Sequence, residues 1–223
     1  MSIPQLVSLR ERLVTYAQFV EQMIGKCRHA LVERQRSLLD DIVGGDEARA
    51  NQTEMDLEEQ GTSLIAQHQP MAHELRTVLM VLHMTTDLER MADHAVNIAE
   101  AVREYIERPS PDPDAEVMRM FEATISMVDN AIRAFIDENA SLGQEVCESD
   151  AVVDTLATGI LVRLSASMSR EPSLVPQSLA LLKVAANLER IADLSTNIGE
   201  DVIYMAEGRV IKHHRQERDE MRA

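Results

Sequence analysis

Tryptophan is absent from this 223-residue chain, and phenylalanine and tyrosine number three each, so aromatics total 3%. That poverty disfavours a β-sandwich, whose strands are rich in aromatic and β-branched side chains. Glycine (8) and proline (7) are scarce too. Only two cysteines occur, Cys27 and Cys147, at non-equivalent places in the two halves. They read as reduced thiols serving as small apolar side chains. No stretch approaches the ~18 uninterrupted apolar residues of a membrane span. The start, Met1-Ser-Ile-Pro-Gln-Leu6, lacks a basic segment followed by an apolar run, so no signal peptide is expected and the cytoplasm is the default compartment. Basic residues number 22 against 38 acidic ones, for a net charge of −16 and a pI near 4.8. Nucleic acid would be repelled by such a surface. Cations, or a basic patch on a partner protein, would be attracted.

What remains is 45% hydrophobic and includes 13 methionines, a mixture suited to packed helices. From Gln5 to Val43 apolar residues recur at three and four, which predicts a long amphipathic helix stopped by Gly44-Gly45. A second helix is expected from Asp46 to about Gln67, broken by Gln69-Pro70. A third covers Glu74 to about Glu107. Arg108-Pro-Ser-Pro-Asp-Pro-Asp114 is Pro-rich and reads as a short stiff connector. Helices are then expected over Ala115–Leu142, Glu145–Ser169 and Gln177–Glu207, with Gly208 as the final cap. The expected fold is all-α, with two tandem antiparallel three-helix bundles related by internal duplication. Their bounds are 1–108 and 115–211, with a linker at 109–114 and a charged tail at 212–223.

The duplication rests on Asp87-Leu-Glu-Arg-Met-Ala-Asp-His-Ala-Val-Asn-Ile-Ala-Glu100. It recurs as Asn187-Leu-Glu-Arg-Ile-Ala-Asp-Leu-Ser-Thr-Asn-Ile-Gly-Glu200, with 8 of 14 positions identical, where chance gives roughly one. Glu89, Asp93 and Asn97, and likewise Glu189, Asp193 and Asn197, fall at i, i+4 and i+8 and share one helix face. Arg90 and Arg190 accompany them. Leu88, Met91, Ala95, Ile98 and Val102 form an apolar stripe on the other side.

A hairpin turning at about residue 69 would place Glu89 and Asp93 level with Glu47 and Asn51 of the second helix, at a common rise of ~1.5 Å per residue. A turn near residue 173 would place Glu189 and Asp193 level with Asp154 and Asp150. Crowded carboxylates repel unless protonated or bound to a cation, and hard or borderline cations match oxygen donors. Glu47, Glu89, Asp93, Asp150, Asp154, Glu189 and Asp193 are therefore the candidate metal ligands. Asn51, Asn97, Asn197, Arg90 and Arg190 are candidates for a supporting or ligating role. The competing reading is a solvated helix face with surface ion pairs. A solvated face tolerates Lys or Gln at these places, and the repetition of all four of these polar residues, with Glu100 and Glu200 as a fifth pair, weighs against it. His68, His73, His83, His94 and His213-His214 read mostly as surface residues. No Gly-rich phosphate loop, Cys pair or Ser-centred nucleophile motif appears, so no catalytic residue is assigned.

Leu-Glu-Arg-x-Ala-Asp-x-x-x-Asn-Ile, twice, on the third helix of each bundle, resembles the PhoU family. Gln69-Pro-Met-Ala-His-Glu-Leu-Arg76 and Glu148-Ser-Asp-Ala-Val-Val-Asp154 resemble two further family elements. The resemblance implies a cytoplasmic adaptor that is not an enzyme. It would link the ATPase subunit of the phosphate ABC transporter to a phosphate-sensing histidine kinase and restrain uptake when phosphate is plentiful. It also implies carboxylate-held metal ions, divalent or ferric, of the iron or zinc class. A homodimer is expected, with membrane reached only through partners. The second bundle has four carboxylates and the first only three plus Asn51, so tighter metal binding is expected in the second. Two other classes stand beside this one. A carboxylate-bridged di-iron enzyme would need Glu-x-x-His motifs, which the sequence lacks; a metal-free helical interaction protein would need none of the carboxylates.

Overall fold

The computed structural model describes residues 4–109 and 112–208. Leu6, Leu9, Leu13, Tyr16, Val20, Met23, Cys27 and Leu31 recur at three and four and are all buried, which defines helix α1 (Pro4–Glu33). Burying each large side chain such as Leu9 or Ile24 contributes about 1.5–3 kcal/mol before chain entropy is subtracted. The helix ends well before Val43, because Arg34 adopts φ 52 and reverses the backbone twist. A short helix α2 (Arg36–Asp41) follows, and its Leu39 is buried. A π-turn over Ile42–Asp46 then feeds directly into α3 (Glu47–His68). Gly44 and Gly45 therefore stop nothing. They are exposed and sit inside the wide turn, with no atom within 4 Å of where a Cβ would be.

Gln69 at φ 46 and Ala72 at φ 50 form the turn into α4 (His73–Ile106). No helix joins the halves through Pro109 and Pro113: α4 stops at Ile106 and α5 (Ala115–Asp137) starts beyond them. Asp114 caps α5 by accepting a hydrogen bond from the Glu116 amide at 2.8 Å. Arg163 also grips Asp114 at 2.6 and 2.8 Å and pairs with Glu116. The break expected at Gly143 lies earlier. Glu138 takes φ 50, and the Asn139 side chain accepts from the Leu142 amide at 3.1 Å, which opens α6 (Ala140–Arg170).

Gly143 is thus internal to α6, and it serves close approach. A Cβ at Gly143 would stand 2.8 Å from the Gly199 carbonyl oxygen, and one at Gly199 would stand 2.8 Å from that of Gly143. Helix α7 (Val175–Glu207) is entered through a 3₁₀ turn at Pro172–Leu174. It is closed by Gly208 at φ 67, whose amide donates to the Tyr204 carbonyl at 2.8 Å. The tail expected over 212–223 lies outside the described residues.

The result is all-α: α1, α3 and α4 form one three-helix unit, and α5, α6 and α7 form the other. Their third helices lie side by side and antiparallel, with His83 opposite Asp201, His94 opposite Asn187 and Glu104 opposite Lys183. One continuous apolar core runs through both units. Because of these directions, α1 and α4 begin, and α5 and α7 end, at the same end of the molecule. By length and composition α6 could cross a membrane, with a mean hydropathy of 1.4 over 18 residues, of which 17% are buried. Its exposed face carries Val152, Leu161 and Val162.

Candidate functional site

The two carboxylate rows are built by the middle and last helices of each unit. In the second unit the structure brings together the four carboxylates expected to share one level. Val146, Asp150, Val153, Ile160 and Leu164 are the inward positions of α6, and Asp150, only 6% exposed, occupies the same register as its apolar neighbours. On α7, Glu189 is pushed above the usual carboxyl range first by burial, then by the charges of Asp154, Asp193 and Asp150, with Arg190 opposing. Those four carboxylates form one electrostatic group.

In the first unit the partners differ from those expected. Glu89 is raised by burial first, then by Asp93 and Glu54. Glu54 is raised by burial, then by Glu58 and Asp93. Glu54 on α3 therefore faces Glu89 and Asp93, with Glu58 one turn along the same helix, and Glu47 is not among the charges that act on this row. The cause is the turn. Its centre lies between His68 and His73, past residue 69, and each residue of error counts twice in a hairpin. Measured from residue 71, Glu89 lies 18 residues beyond and Glu54 lies 17 before. Glu47 sits about 10 Å further along the helix, at ~1.5 Å per residue. The signal was present in the sequence. Ala50, Leu57, Gly61 and Leu64 are the buried residues of α3, and Glu54 interrupts that apolar register as Asp150 does in α6.

Tyr16 of α1 closes the first row from beneath. Its side chain is 2% exposed and its hydroxyl makes no hydrogen bond with the described residues. Burial raises its phenol, and the charges of Glu54, Glu89 and Asp93 raise it further.

The arginines and asparagines of the motif separate into different jobs. Arg90 reaches back to Asp87 at 3.4 Å, whereas Arg190 reaches forward to Asp193 at 3.3 Å. Asn187 replaces Asp87 in the second repeat, so Arg190 has no carboxylate behind it. Asn197 leaves its row altogether and hydrogen-bonds Asp87 across the α4–α7 seam; Asn97 is exposed. That seam holds a cavity of about 380 Å³ lined by His83, Thr86, Asp87, Asn197, Glu200 and Asp201. Burial is the main cause that pushes the Asp201 carboxyl up to about 7, with His83 opposing. His94 is half-buried rather than a surface residue, with Nδ1 2.8 Å from the Asn187 side-chain oxygen. Both cysteines are free thiols, Cys27 buried and Cys147 half-buried, and burial pushes the Cys147 thiol up to about 12.

Chemically the rows offer oxygen donors of the right type for a hard cation. Among the described residues, however, no three carboxylate, imidazole or thiol groups converge on one point closely enough to hold an ion.

The PhoU domain profile matches twice, over residues 13–102 and 117–202. The chain belongs to the PhoU family. Each match contains one carboxylate row. A phosphate-specific transport system accessory protein PhoU homolog 2 from Thermotoga maritima is 33% identical over 199 residues, covering 89% of this chain and 84% of that protein. A PhoU homolog of the same description from Aquifex aeolicus is 32% identical over 217 residues, covering 97% and 98%. The crystal structure of PhoU from Pseudomonas aeruginosa superposes with a TM-score of 0.87 at 27% identity, covering 92% of this chain and 98% of that one.

Proposed function

We propose that this protein is a regulatory adaptor of phosphate uptake, acting on the cytoplasmic side by binding the ATPase subunit of a phosphate ABC transporter and a phosphate-sensing histidine kinase. The observation that carries this reading is membership of the PhoU family through both repeats, with relatives described as phosphate-specific transport system accessory proteins. Two further features support it. The net charge of −16 favours basic partner surfaces, and the exposed Val152, Leu161 and Val162 of α6 offer an apolar strip where a partner can approach. The protein is a non-enzyme in this reading, and a homodimer. The di-iron enzyme alternative gains no support from the residues facing the rows, which include no Glu-x-x-His.

The carboxylate rows are proposed to take iron- or zinc-class cations. Glu54, Glu58, Glu89 and Asp93 would hold one group, and Asp150, Asp154, Glu189 and Asp193 the other. A bound cation would relieve the mutual repulsion that raises Glu54, Glu89 and Glu189. The residues would have to draw together to hold it. That requirement favours, as a second reading, a helical interaction protein whose rows contact basic partner side chains directly.

The adaptor is tested by affinity capture from phosphate-replete and phosphate-starved cells. Capture of the transporter ATPase subunit or the kinase, weakened by salt, is expected. Capture of neither, with phosphate uptake unchanged on deletion, contradicts it. Elemental analysis of protein purified without chelator separates the two readings of the rows.

A further inference from the structure

Three helices bring oxygen atoms to one level in the first unit. Gly61 of α3 packs on Leu82 of α4, where a Cβ would stand 2.6 Å from the leucine side chain. Two helical turns, about seven residues, separate Gly61 from Glu54 and Leu82 from Glu89. These two carboxylates therefore face each other across the antiparallel pair, with Asp93 one turn beyond. Helix α1 is fixed against α3 by Arg12, which donates to the Gln60 side chain at 2.6 Å, and by Lys26, which pairs with Asp46 at 2.5 Å. Tyr16 lies one turn from Arg12 toward Lys26, level with Glu54.

The Tyr16 hydroxyl is a polar atom without a partner. The residue is 2% exposed, and the oxygen makes no hydrogen bond with the described residues, whereas buried polar atoms are nearly always paired. Burial first, and then Glu54, Glu89 and Asp93, keep the phenol protonated; a cation among them inverts that balance. The second unit lacks this donor. The profile matches begin at Leu13 and Val117. From those points the buried positions keep step, and Tyr16, Val20 and Cys27 correspond to Met120, Thr124 and Ala131. Met120 offers only a soft, neutral thioether.

Resting on the reading of the rows as cation sites, we propose that Tyr16 sets the metal preference of the first row: its phenolate joins Glu54, Glu89 and Asp93 as a further oxygen ligand and selects ferric iron. Among the described residues three carboxylates do not converge on one point by themselves, and Tyr16 supplies the further oxygen from a third helix. Hard anionic oxygens favour a trivalent ion over zinc, which imidazole and thiolate suit better. On ligation Tyr16 gives its proton to solvent and forms an Fe–O bond, and no electron moves.

The test loads the chelator-stripped full chain with ferric nitrilotriacetate, then reads iron content and visible absorption together after desalting. A phenolate-to-iron charge-transfer band is expected, abolished by Tyr16→Phe and retained in Tyr105→Phe and Asp193→Asn. Tyr16→Phe removes only an unpartnered hydroxyl, so its melting temperature should hold. It should weaken ferric binding at least about tenfold and shift zinc binding by less than about twofold. Iron bound without the band, or a band that survives Tyr16→Phe, overturns the role of Tyr16 and leaves the rows as cation sites. Neither iron nor zinc bound overturns both.

Discussion

Arg90 turns back onto Asp87, while Arg190, with Asn187 behind it, leans forward onto Asp193. One amide-for-carboxylate exchange thus alters the environment of two otherwise matching rows. The first row keeps Glu54, Glu89 and Asp93 with its arginine turned aside, and the second has a cation already resting on one member. The seam between α4 and α7 shows the same divergence. Its first-repeat end is a buried acidic cluster around Asp87 and Asp201, whereas Lys183 at the equivalent of His83 pairs with Glu104 at 2.9 Å. The halves share a scaffold, and a few substitutions have given them different electrostatics.

The largest expected effect concerns how each unit closes. In the second, α6 and α7 meet through Gly143 and Gly199, where an added Cβ would face a carbonyl oxygen at 2.8 Å. The backbone cannot yield as a side chain can, so Gly143→Ala or Gly199→Ala should cost about 1–3 kcal/mol. In the first unit Gly61 faces only the Leu82 side chain at 2.6 Å. That leucine can shift, and alanine has the better helix propensity, so Gly61→Ala should fall within about 1 kcal/mol of neutral. Denaturant unfolding of the three variants checks this. Equal losses would mean that the units close alike.

Next comes the seam. The Asp201 carboxyl is raised from its ordinary 3.8 to about 7, first by burial. A carboxyl raised on folding contributes stability that is fully present below pH 3.8 and is lost as pH rises through about 7. Asp201→Asn should therefore stabilise the protein at pH 8 by about 1–3 kcal/mol and have little effect near pH 4. Melting curves across that range give the answer; a destabilised variant at pH 8 would mean that Asp201 is ionised and well paired in the fold. The opposite end of the seam, Lys183–Glu104, is exposed, and Lys183→Met should change stability by under ~1 kcal/mol at any pH.

Metal content compares the rows. Counting donors by sequence favoured the second row, but Glu54 joins Glu89 and Asp93 in the first, and Arg190 competes for Asp193 in the second. In protein purified without chelator, Asp93→Asn should lower the metal content at least as much as Asp193→Asn. A loss confined to Asp193→Asn would restore the original ranking. The smallest stability effect concerns the outer faces. α3 exposes Asp56 and Glu59, whereas α6 exposes Val152, Leu161 and Val162. Leu161→Ser with Val162→Ser should shift stability by only about 0.5 kcal/mol while weakening capture of the transporter ATPase subunit or the kinase. Unchanged capture would remove α6 from the docking surface.

Much of this was legible in the sequence. The two three-helix units, the α3–α4 and α6–α7 turns and the Pro-rich interruption follow from periodicity and from Pro70, Pro172 and Gly208, whereas α2 reads in the sequence as the end of the first helix. Glycine misled twice. Gly44-Gly45 and Gly143 read as stops, but the actual breaks fall at Arg34 and Glu138, which take left-handed conformations that their residue types do not advertise. The first row was misassigned because a turn centre off by two residues shifts the facing partner by four, a full helical turn. Glu54, a carboxylate within the apolar register of Ala50 and Leu57, was the local clue that decides it. The orientation of Arg90 and Arg190 depends on the residue three positions earlier, which a motif comparison treats as variable.

The most direct test is the titration of the Glu89 carboxyl, followed by carbon NMR in metal-free protein. Glu54→Gln removes a charge that raises Glu89, so the Glu89 carboxyl should fall toward its ordinary range in that variant. Glu47→Gln should leave it where it is. A fall with Glu47→Gln and none with Glu54→Gln would contradict the assignment of the first row.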